Sequence, residues 1–273
     1  MHTLYIIATP IGNLEDISLR ALRILKEVRV IAAEDTRKTS RLLNHYQIET
    51  PMTSYYEHNK LVKLNRMLSY LEQGDVALVS EAGMPGISDP GYELVVAAIE
   101  HGIPVVPIPG ASAVTTALAV SGMATDVFTF VGFLPNKSVG RRRLLENVKT
   151  EKGTLIILEA PHRLQDSLKD MLATLGDRKI AVCRELTKMH EEIYRGTVSQ
   201  AIAYFNAPKG EFTLVIEGNR NEEQPQMTGD IGEKLHSLRL AGVPAKEAIA
   251  AVAAETGLSK RELYRVWLEK KRD

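Results

Sequence analysis

The sequence alternates short, almost wholly apolar runs with longer amphipathic ones, and this alternation limits the chain to a layered α/β fold. Eight apolar runs have the length of strands, and most lack the polar residues that mark a solvent-facing side. They span residues 4–8, 28–32, 76–79, 105–108, 128–131, 155–158, 180–183 and 212–216. Helical patterns lie between them, including residues 17–26, 60–73, 92–101 and 162–175. We therefore expect sheets that are covered by helices on both faces.

The chain is long enough for two such domains and a short tail. Its 273 residues exceed the roughly 100–200 of one ordinary domain. An Ala- and Val-rich stretch at 111–120 predicts a buried helix, and the strand pattern restarts after Gly122. We therefore predict an N-terminal α/β domain at 1–118, a C-terminal α/β domain at 119–220 and a helical tail at 226–273, after a polar linker. Two short helices in the tail, the second one basic, resemble a helix-turn-helix, although a two-helix docking tail fits equally well.

Charge and cysteine content restrict the setting. The 34 Lys and Arg residues balance 34 Asp and Glu residues, which excludes a uniformly basic nucleic-acid coat. Cys183 is the single cysteine and can form no internal disulfide, so we expect a reducing, cytoplasmic location. Prolines and glycines break the uncharged stretch at 102–125 into pieces shorter than the ~20 apolar residues of a membrane span. We expect no membrane contact and no targeting segment.

Several common catalytic signatures are absent. The sequence has no GxxxxGK followed by Ser or Thr and no GxGxxG, which disfavours P-loop enzymes and dinucleotide-binding domains. It has no GxSxG nucleophile elbow. The seven histidines are not spaced as metal ligands, so we expect no metal.

Three loops rich in glycine, proline and small residues follow predicted strands, at 9–13, 80–91 and 109–113. The C-terminal ends of strands are where open α/β sheets bind ligands. The middle loop holds three glycines and two prolines between Gly83 and Gly91, so its backbone can approach a ligand closely. We expect the ligand site in a cleft between the two α/β domains.

Two charged segments could attract phosphate groups. The first, at 34–41, follows the second strand, and a helix start capped by Asp35 or Thr36 is compatible with phosphate binding there. The second, at 136–152, carries six basic residues against two acidic ones, and a solvated helix face is its alternative interpretation.

Four ordered motifs resemble the tetrapyrrole-methylase superfamily. They are TPIGNL at 9–14, EDTR at 34–37, the loop at 80–91 and PGASA at 109–113. The resemblance covers essentially the whole chain. The tail is similar to the helix-turn-helix found in one branch of this superfamily, which methylates small-subunit ribosomal RNA. The resemblance implies a two-domain tetrapyrrole-methylase-like α/β fold with a cofactor cleft between the domains, plus a small C-terminal helical segment. It also implies S-adenosylmethionine-dependent 2′-O-methylation of a cytidine in 16S rRNA or the 30S subunit, by an enzyme that is often a homodimer.

The superfamily holds its cofactor largely by backbone groups in the interdomain cleft. Matched by motif, the resemblance implies these contacts to S-adenosylmethionine: Pro10, Ile11, Gly83, Met84, Ile87, Ser112 and Ala113, with Leu186 from the second domain. Met84 stands where relatives have Asp or Thr, so any hydrogen bond from that side chain is lost here.

The poorly nucleophilic ribose hydroxyl needs a proton acceptor, for which Asp35 and Glu81 are the candidates. The candidate RNA-binding residues are Arg37, Lys38, Arg41, Arg141, Arg142 and Arg143. Two other functions remain open. One is methylation of a small tetrapyrrole or corrinoid precursor by the same cofactor, and the other is a non-catalytic nucleic-acid-binding module.

Overall fold

The computed structural model describes residues 2–56, 60–220, 229–256 and 258–269. The chain divides into two units, Met1–Gly218 and Asn219–Asp273. The larger unit contains two five-stranded sheets, and the smaller one is helical. None of the helices within the described ranges combines the length and the apolar character needed to traverse a bilayer.

The first sheet is entirely parallel, in the order β3-β2-β4-β1-β5. Its strands are β1 (Leu4–Ile7), β2 (Val30–Ala33), β3 (Met52–Ser54), β4 (Val76–Val79) and β5 (Val105–Ile108). The helices that follow them in turn are α1 (Leu19–Glu27), α2 (Thr36–His45), α3 (Lys60–Gln73), α4 (Tyr92–Glu100) and α5 (Ala113–Ser121). Parallel neighbours require such crossovers, which accounts for the strict alternation in the sequence.

Helices cover both faces of this sheet, because neighbouring residues of a strand point to opposite sides. On one face, Ile31 of β2 packs with Leu25 of α1 and Leu42 of α2. On the other, Ala32 packs with Leu94 of α4 and with residues of α3. Both faces of β2 and β4 are fully buried, as their apolar runs predict.

The second sheet is mixed, in the order β6-β7-β10-β8-β9, and β6 and β7 are its parallel pair. Its strands are β6 (Phe128–Phe133), β7 (Thr154–Glu159), β8 (Lys179–Arg184), β9 (Glu192–Thr197) and β10 (Phe212–Ile216). One face packs against α6 (Ser138–Asn147), α7 (Leu164–Leu175) and α8 (Val198–Tyr204). A register shift between Phe130 and Gly132 bends β6.

Helix α5 covers the other face of the second sheet. Its Ala117 and Leu118 pack with Ile156 of β7 and Val215 of β10. The sequence-based boundary at 118/119 cuts this helix and leaves most of it in the first domain, whereas the helix packs on the second sheet. The apolar pattern predicts burial but carries no information about which sheet the helix covers. We therefore call residues 2–112 the first lobe and residues 113–218 the second lobe.

All eight predicted apolar runs are confirmed as strands, and the described residues contain two further strands that were not predicted. The missed strands, β3 and β9, lie at sheet edges and are only half-buried, so their sequences lack a continuous apolar run.

The C-terminal unit contains α9 (Gly229–Leu240), α10 (Ala245–Thr256) and α11 (Lys260–Glu269). Leu235, Ile249, Val252 and Leu263 form its core, and the Arg239 guanidinium lies 5.5 Å from the centre of the Trp267 ring. The two helices predicted in the tail are confirmed, and α9 packs with them as a third helix that was not predicted. Most of the predicted linker, residues 221–226, lies outside the described residues.

Candidate functional site

The three predicted loops meet at one edge of the first sheet, because the parallel strands β4, β1 and β5 are neighbours and end there. Thr9 and Gly83 exchange two backbone hydrogen bonds of 2.9 Å, which join the loop after β1 to the loop after β4. A Cβ at Gly110 would lie 3.0 Å from Cβ of Ala8, so the third loop also packs closely on the first. The loops form one continuous surface.

The loop at 80–91 is fixed by its own backbone and by buried hydroxyls. Gly83 has a backbone φ of +82°, which residues other than glycine rarely adopt. Gly91 has φ +149°, and a Cβ there would lie 2.9 Å from Cδ2 of Leu78. The buried Ser80 hydroxyl donates to the Gly83 carbonyl at 3.2 Å, and the Thr9 hydroxyl donates to the Ser80 carbonyl at 3.3 Å. The glycines are therefore required by geometry.

A cavity of about 390 Å³ lies between these loops and the second lobe. We call it the acidic cavity, because five carboxylates line it: Glu34, Glu81, Asp89, Glu159 and Glu211. Among the described residues that line it, none is lysine or arginine. Its second-lobe wall is largely apolar and comes from Phe130, Phe133, Leu158, Cys183, Leu186 and Phe212.

The five carboxylates differ in their pairing with the cations that the structure describes. Glu81 pairs with Lys38, Glu211 with Lys188 at 3.0 Å, and Glu159 with Arg163 at 3.2 Å. Glu34 and Asp89 form no salt bridge with any described side chain. The acidic cavity thus keeps two carboxylates that are not committed to the described cations of the protein.

The pKa values of these two carboxyl groups are raised. Burial raises the pKa of Asp89 to about 6, the neighbouring Glu34 charge adds to the rise, and a hydrogen bond with Ser80 opposes it. Burial also raises the pKa of Glu34, against the opposing charge of Lys38. Glu34 Oε2 accepts a hydrogen bond of 3.0 Å from the backbone N–H of Glu81, which ties the end of β2 to the loop after β4.

A second cavity of about 360 Å³ adjoins the acidic cavity. We call it the basic cavity, because Lys38, Arg41 and Lys188 line it against the two carboxylates Glu81 and Glu211. Residues common to the two linings form the shared wall, which consists of Ile11, Glu81, Ala82 and Glu211.

Seven of the eight residues expected to contact the cofactor line the acidic cavity. They are Ile11, Gly83, Met84, Ile87, Ser112, Ala113 and Leu186. The eighth, Pro10, lines the basic cavity instead. Leu186, for which no motif existed, also lines this cavity, and its carbonyl lies close to Gly12 of the first loop: a Cβ on Gly12 would lie only 2.9 Å from that oxygen.

The two candidate proton acceptors occupy different positions. Glu81 lies in the shared wall. Asp35 lines neither cavity and is the N-cap of α2, accepting backbone hydrogen bonds from Arg37 and Lys38. Hydrogen bonds from the Arg37 side chain and backbone lower the pKa of Asp35 to about 2. Asp35 is therefore corrected to a capping residue, because such a weak base is a poor proton acceptor.

The basic residues expected to bind RNA lie in four different surroundings. Lys38 and Arg41 line the basic cavity, whereas the exposed Arg37 is paired with Asp35. Arg143 is exposed, and Arg142 is largely exposed although its Nε lies 2.6 Å from Asp170. Arg141 is buried, and its Nε lies 2.6 Å from the same buried carboxylate. The expectation for Arg141 is corrected, because a buried, paired guanidinium supports the fold and cannot reach an RNA phosphate.

Several residues that line the cavities were not predicted from the sequence. Asp89 lies within the predicted loop next to Pro90 and could have been selected as its only carboxylate after Glu81. Phe130, Glu159 and Lys188 come from elements of the second lobe that carry no motif. In the described part of the chain, no group of three or more His, Cys, Asp or Glu side chains is arranged to hold a metal ion.

Comparison with known proteins adds independent findings. Residues 3–202 match the family model described as Tetrapyrrole (Corrin/Porphyrin) Methylases, and residues 228–271 match one described as RsmI C-terminal HTH domain. The chain is 50% identical to "Ribosomal RNA small subunit methyltransferase I" of Halalkalibacterium halodurans, over 97% of this chain and 94% of the relative. Identity to the protein of the same name from Synechocystis sp. is 49%, over 100% of both chains.

Two solved structures share the fold at low sequence identity. Uroporphyrin-III-C-methyltransferase from Thermus thermophilus aligns with a TM-score of 0.58 at 17% identity, over 80% of this chain and 94% of that one. A diphthine synthase aligns with a TM-score of 0.64 at 12% identity, over 79% of this chain and 90% of that one. These likenesses show the fold alone.

Proposed function

Because this chain belongs to the tetrapyrrole (corrin/porphyrin) methylase family, and within it to the small-subunit ribosomal RNA methyltransferases, we propose that it methylates the 2′-hydroxyl of a cytidine in 16S rRNA. The methyl donor in this proposal is S-adenosylmethionine. The observation that carries it is the acidic cavity, which is enclosed by the three glycine- and proline-rich loops and contains two carboxylates that no described cation pairs.

The charge of the acidic cavity fits this donor better than it fits other nucleotide cofactors. Phosphate-bearing cofactors would place negative charges beside Glu34 and Asp89, which is unfavourable in a partly desolvated site. A sulfonium and an ammonium group would instead neutralise these carboxylates. The first residues of α5 also line the cavity, and helix N-termini stabilise carboxylates such as that of a methionine moiety.

The apolar second-lobe wall suits an adenine ring, and the volume of about 390 Å³ falls in the range of roughly 300–1,000 Å³ typical of small-ligand sites. The residues that would hold the donor are Ile11, Gly83, Met84, Ile87, Ser112, Ala113 and Leu186. When bound, the cofactor supplies an electrophilic methyl group on a sulfonium.

The residues of the chain would contribute alignment and proton transfer. The fixed loops and the apolar wall hold the reacting groups in line and exclude water, which is the main requirement of a methyl displacement. Glu81 in the shared wall would accept the proton of the ribose hydroxyl when that oxygen acts as the nucleophile. Lys38 forms an ion pair with Glu81 and would stay beside that carboxylate during the transfer.

Cations outside the cavities would hold the RNA backbone. Arg142 and Arg143 on α6 lie in the larger unit, and Lys260, Arg261 and Arg265 are exposed on α11 in the smaller one. Their contacts with phosphates would make binding salt-dependent. That two copies form a homodimer and that the protein is cytoplasmic both stay predictions.

The test is methyl transfer from radiolabelled S-adenosylmethionine by the purified full-length chain. We expect label in 30S subunits from cells that lack this protein, and ribose-methylation mapping should place it on one cytidine. Label in a free tetrapyrrole but not in rRNA would overturn the proposal in favour of a small-molecule methylase. RNA binding without any cofactor binding in calorimetry would overturn it in favour of a non-catalytic module.

A further inference from the structure

The basic cavity is separate from the donor site but is in direct contact with it through the shared wall. We propose that the basic cavity binds the single RNA nucleotide that receives the methyl group, with its ribose at the shared wall and a phosphate at Arg41. This proposal rests on the proposed function and assigns the acceptor to a specific place in the molecule.

The shared wall decides where the acceptor oxygen can lie. Methyl transfer requires donor and acceptor atoms at about 3 Å, so the two ligands must meet at a common boundary. Ile11, Glu81, Ala82 and Glu211 form that boundary. Glu81 therefore faces both ligands.

The charges of the basic cavity select an anion and mark its position. Lys38 is paired with Glu81, and Lys188 with Glu185 at 2.9 Å and Glu211 at 3.0 Å. Arg41 is exposed, and it forms no salt bridge or hydrogen bond with the side chains that the structure describes. Among the described residues, Arg41 is thus the cation of the basic cavity that remains available to a ligand. Guanidinium groups bind phosphate in a bidentate manner.

The remaining lining fits the rest of a nucleotide. Pro10, Leu14 and Leu42 provide an apolar side, and Thr39 contributes a hydroxyl group. The volume of about 360 Å³ lies near the lower end of small-ligand sites, so it suits one nucleotide and excludes a duplex. The acceptor must therefore be unpaired or turned out of its stack, as is usual when RNA bases or sugars enter a protein pocket.

The experiment compares Arg41→Ala, Arg41→Lys and Arg41→Glu in the full-length protein, with 30S subunits as the substrate. We expect KM for the subunits to rise about tenfold in Arg41→Ala, less in Arg41→Lys and more in Arg41→Glu. S-adenosylmethionine affinity, measured by calorimetry, should stay within twofold of wild type. The salt dependence of RNA binding should weaken by about 0.7 in the slope of log K against log salt, the effect of one lost single-strand phosphate contact.

The matched control is Arg20→Ala, which removes an exposed arginine of α1 that lines neither cavity. Its KM and salt slope should equal those of wild type. Arg41 variants that behave like this control would overturn the acceptor assignment while the proposed function stands, provided that the wild type methylates rRNA. A wild-type protein that methylates no RNA would overturn both.

Discussion

The two adjoining cavities share four residues and have similar volumes, yet they differ in the sign of the charge that they leave available. Among the described side chains, the unpaired groups are the carboxylates Glu34 and Asp89 in the acidic cavity and the guanidinium of Arg41 in the basic cavity. Each unpaired charge suits one reactant: carboxylates suit a cationic methyl donor, and a guanidinium suits an anionic RNA acceptor. Ion pairs inside the site therefore determine which charges remain for ligands.

The largest expected effect comes from a residue that affects both cavities. Gly12 lines the basic cavity and contacts the Leu186 backbone of the acidic one, so Gly12→Val forces the two lobes apart. We expect methyl transfer to fall about 100-fold and donor affinity to fall as well, in line with overpacking costs of about 1–3 kcal/mol. Activity assays and calorimetry measure these losses. Gly102→Asn, at a left-handed position where an added Cβ would meet no atom within 4 Å, is the control and should retain activity.

A second prediction separates the basic cavity from the buried basic cluster on α6. Arg141→Ala leaves the Asp170 carboxylate buried with fewer partners, which should cost about 3 kcal/mol in the free energy of unfolding. At a temperature where the variant is folded, KM for RNA should not change. Urea denaturation and steady-state kinetics provide the two readouts. A raised KM without loss of stability would contradict the structural role of Arg141.

A third prediction concerns pH and the acidic cavity. Asp89 with a pKa of about 6 is protonated at pH 5 and ionised at pH 7, so affinity for a cationic donor should rise across that interval. Asp89→Asn should reduce this rise to the part that Glu34 contributes, and it should weaken binding about tenfold at pH 8, equivalent to about 1.4 kcal/mol. Calorimetry from pH 5 to 8 measures it, with Asp126→Asn on the surface as the control.

The Asp89 carboxyl group affects protein stability in the direction opposite to its effect on donor affinity. Its pKa is 3.8 in the unfolded chain and about 6 in the folded one, so the folded state binds the extra proton between these values. Stability of the ligand-free protein therefore falls as pH rises from about 4 to 6. Asp89→Asn should remove this part of the pH dependence, and denaturation midpoints that still fall in parallel with wild type would contradict the raised pKa.

The smallest effect is expected outside both cavities. Arg143→Ala removes an exposed cation of α6 and should raise KM for 30S subunits about twofold, because a single surface phosphate contact contributes little. Donor affinity should not change. Kinetics at two salt concentrations measure the effect, and a tenfold increase would move the main RNA contact from the basic cavity to α6.

The sequence predicted the parts of the fold that depend on local pattern. Apolar runs marked eight of the ten strands within the described residues, and the glycines of the 80–91 loop indicated a backbone that other residues adopt only with strain. The missed strands β3 and β9 are half-buried edges, where the apolar pattern weakens. Helix α5 shows the limit of such patterns: burial of Ala117 and Leu118 was readable, but the sheet that buries them was not.

Charge was less readable from the sequence than apolar pattern. Arg141, Arg142 and Arg143 are neighbours in the sequence and looked equivalent, yet a turn of about 100° per residue places one of them against Asp170 in the interior and another in solvent. Asp35 and Glu81 likewise appeared as equal candidates until helix capping accounted for the first. Pairing depends on residues far apart in the chain, and a single sequence does not contain those distances.

The sequence alone determined an alternating α/β chain, three bent loops at strand ends and a basic helical tail, because these follow from side-chain periodicity and from the backbone freedom of glycine. Only the tertiary structure decided that α5 belongs with the second sheet, that Asp89 joins Glu34 in one cavity, and that the described neighbours of Arg41 leave its charge available in the next. These outcomes depend on packing and on ion pairs between residues that are distant in the sequence. The distance between two charges and their burial determine how strongly they interact.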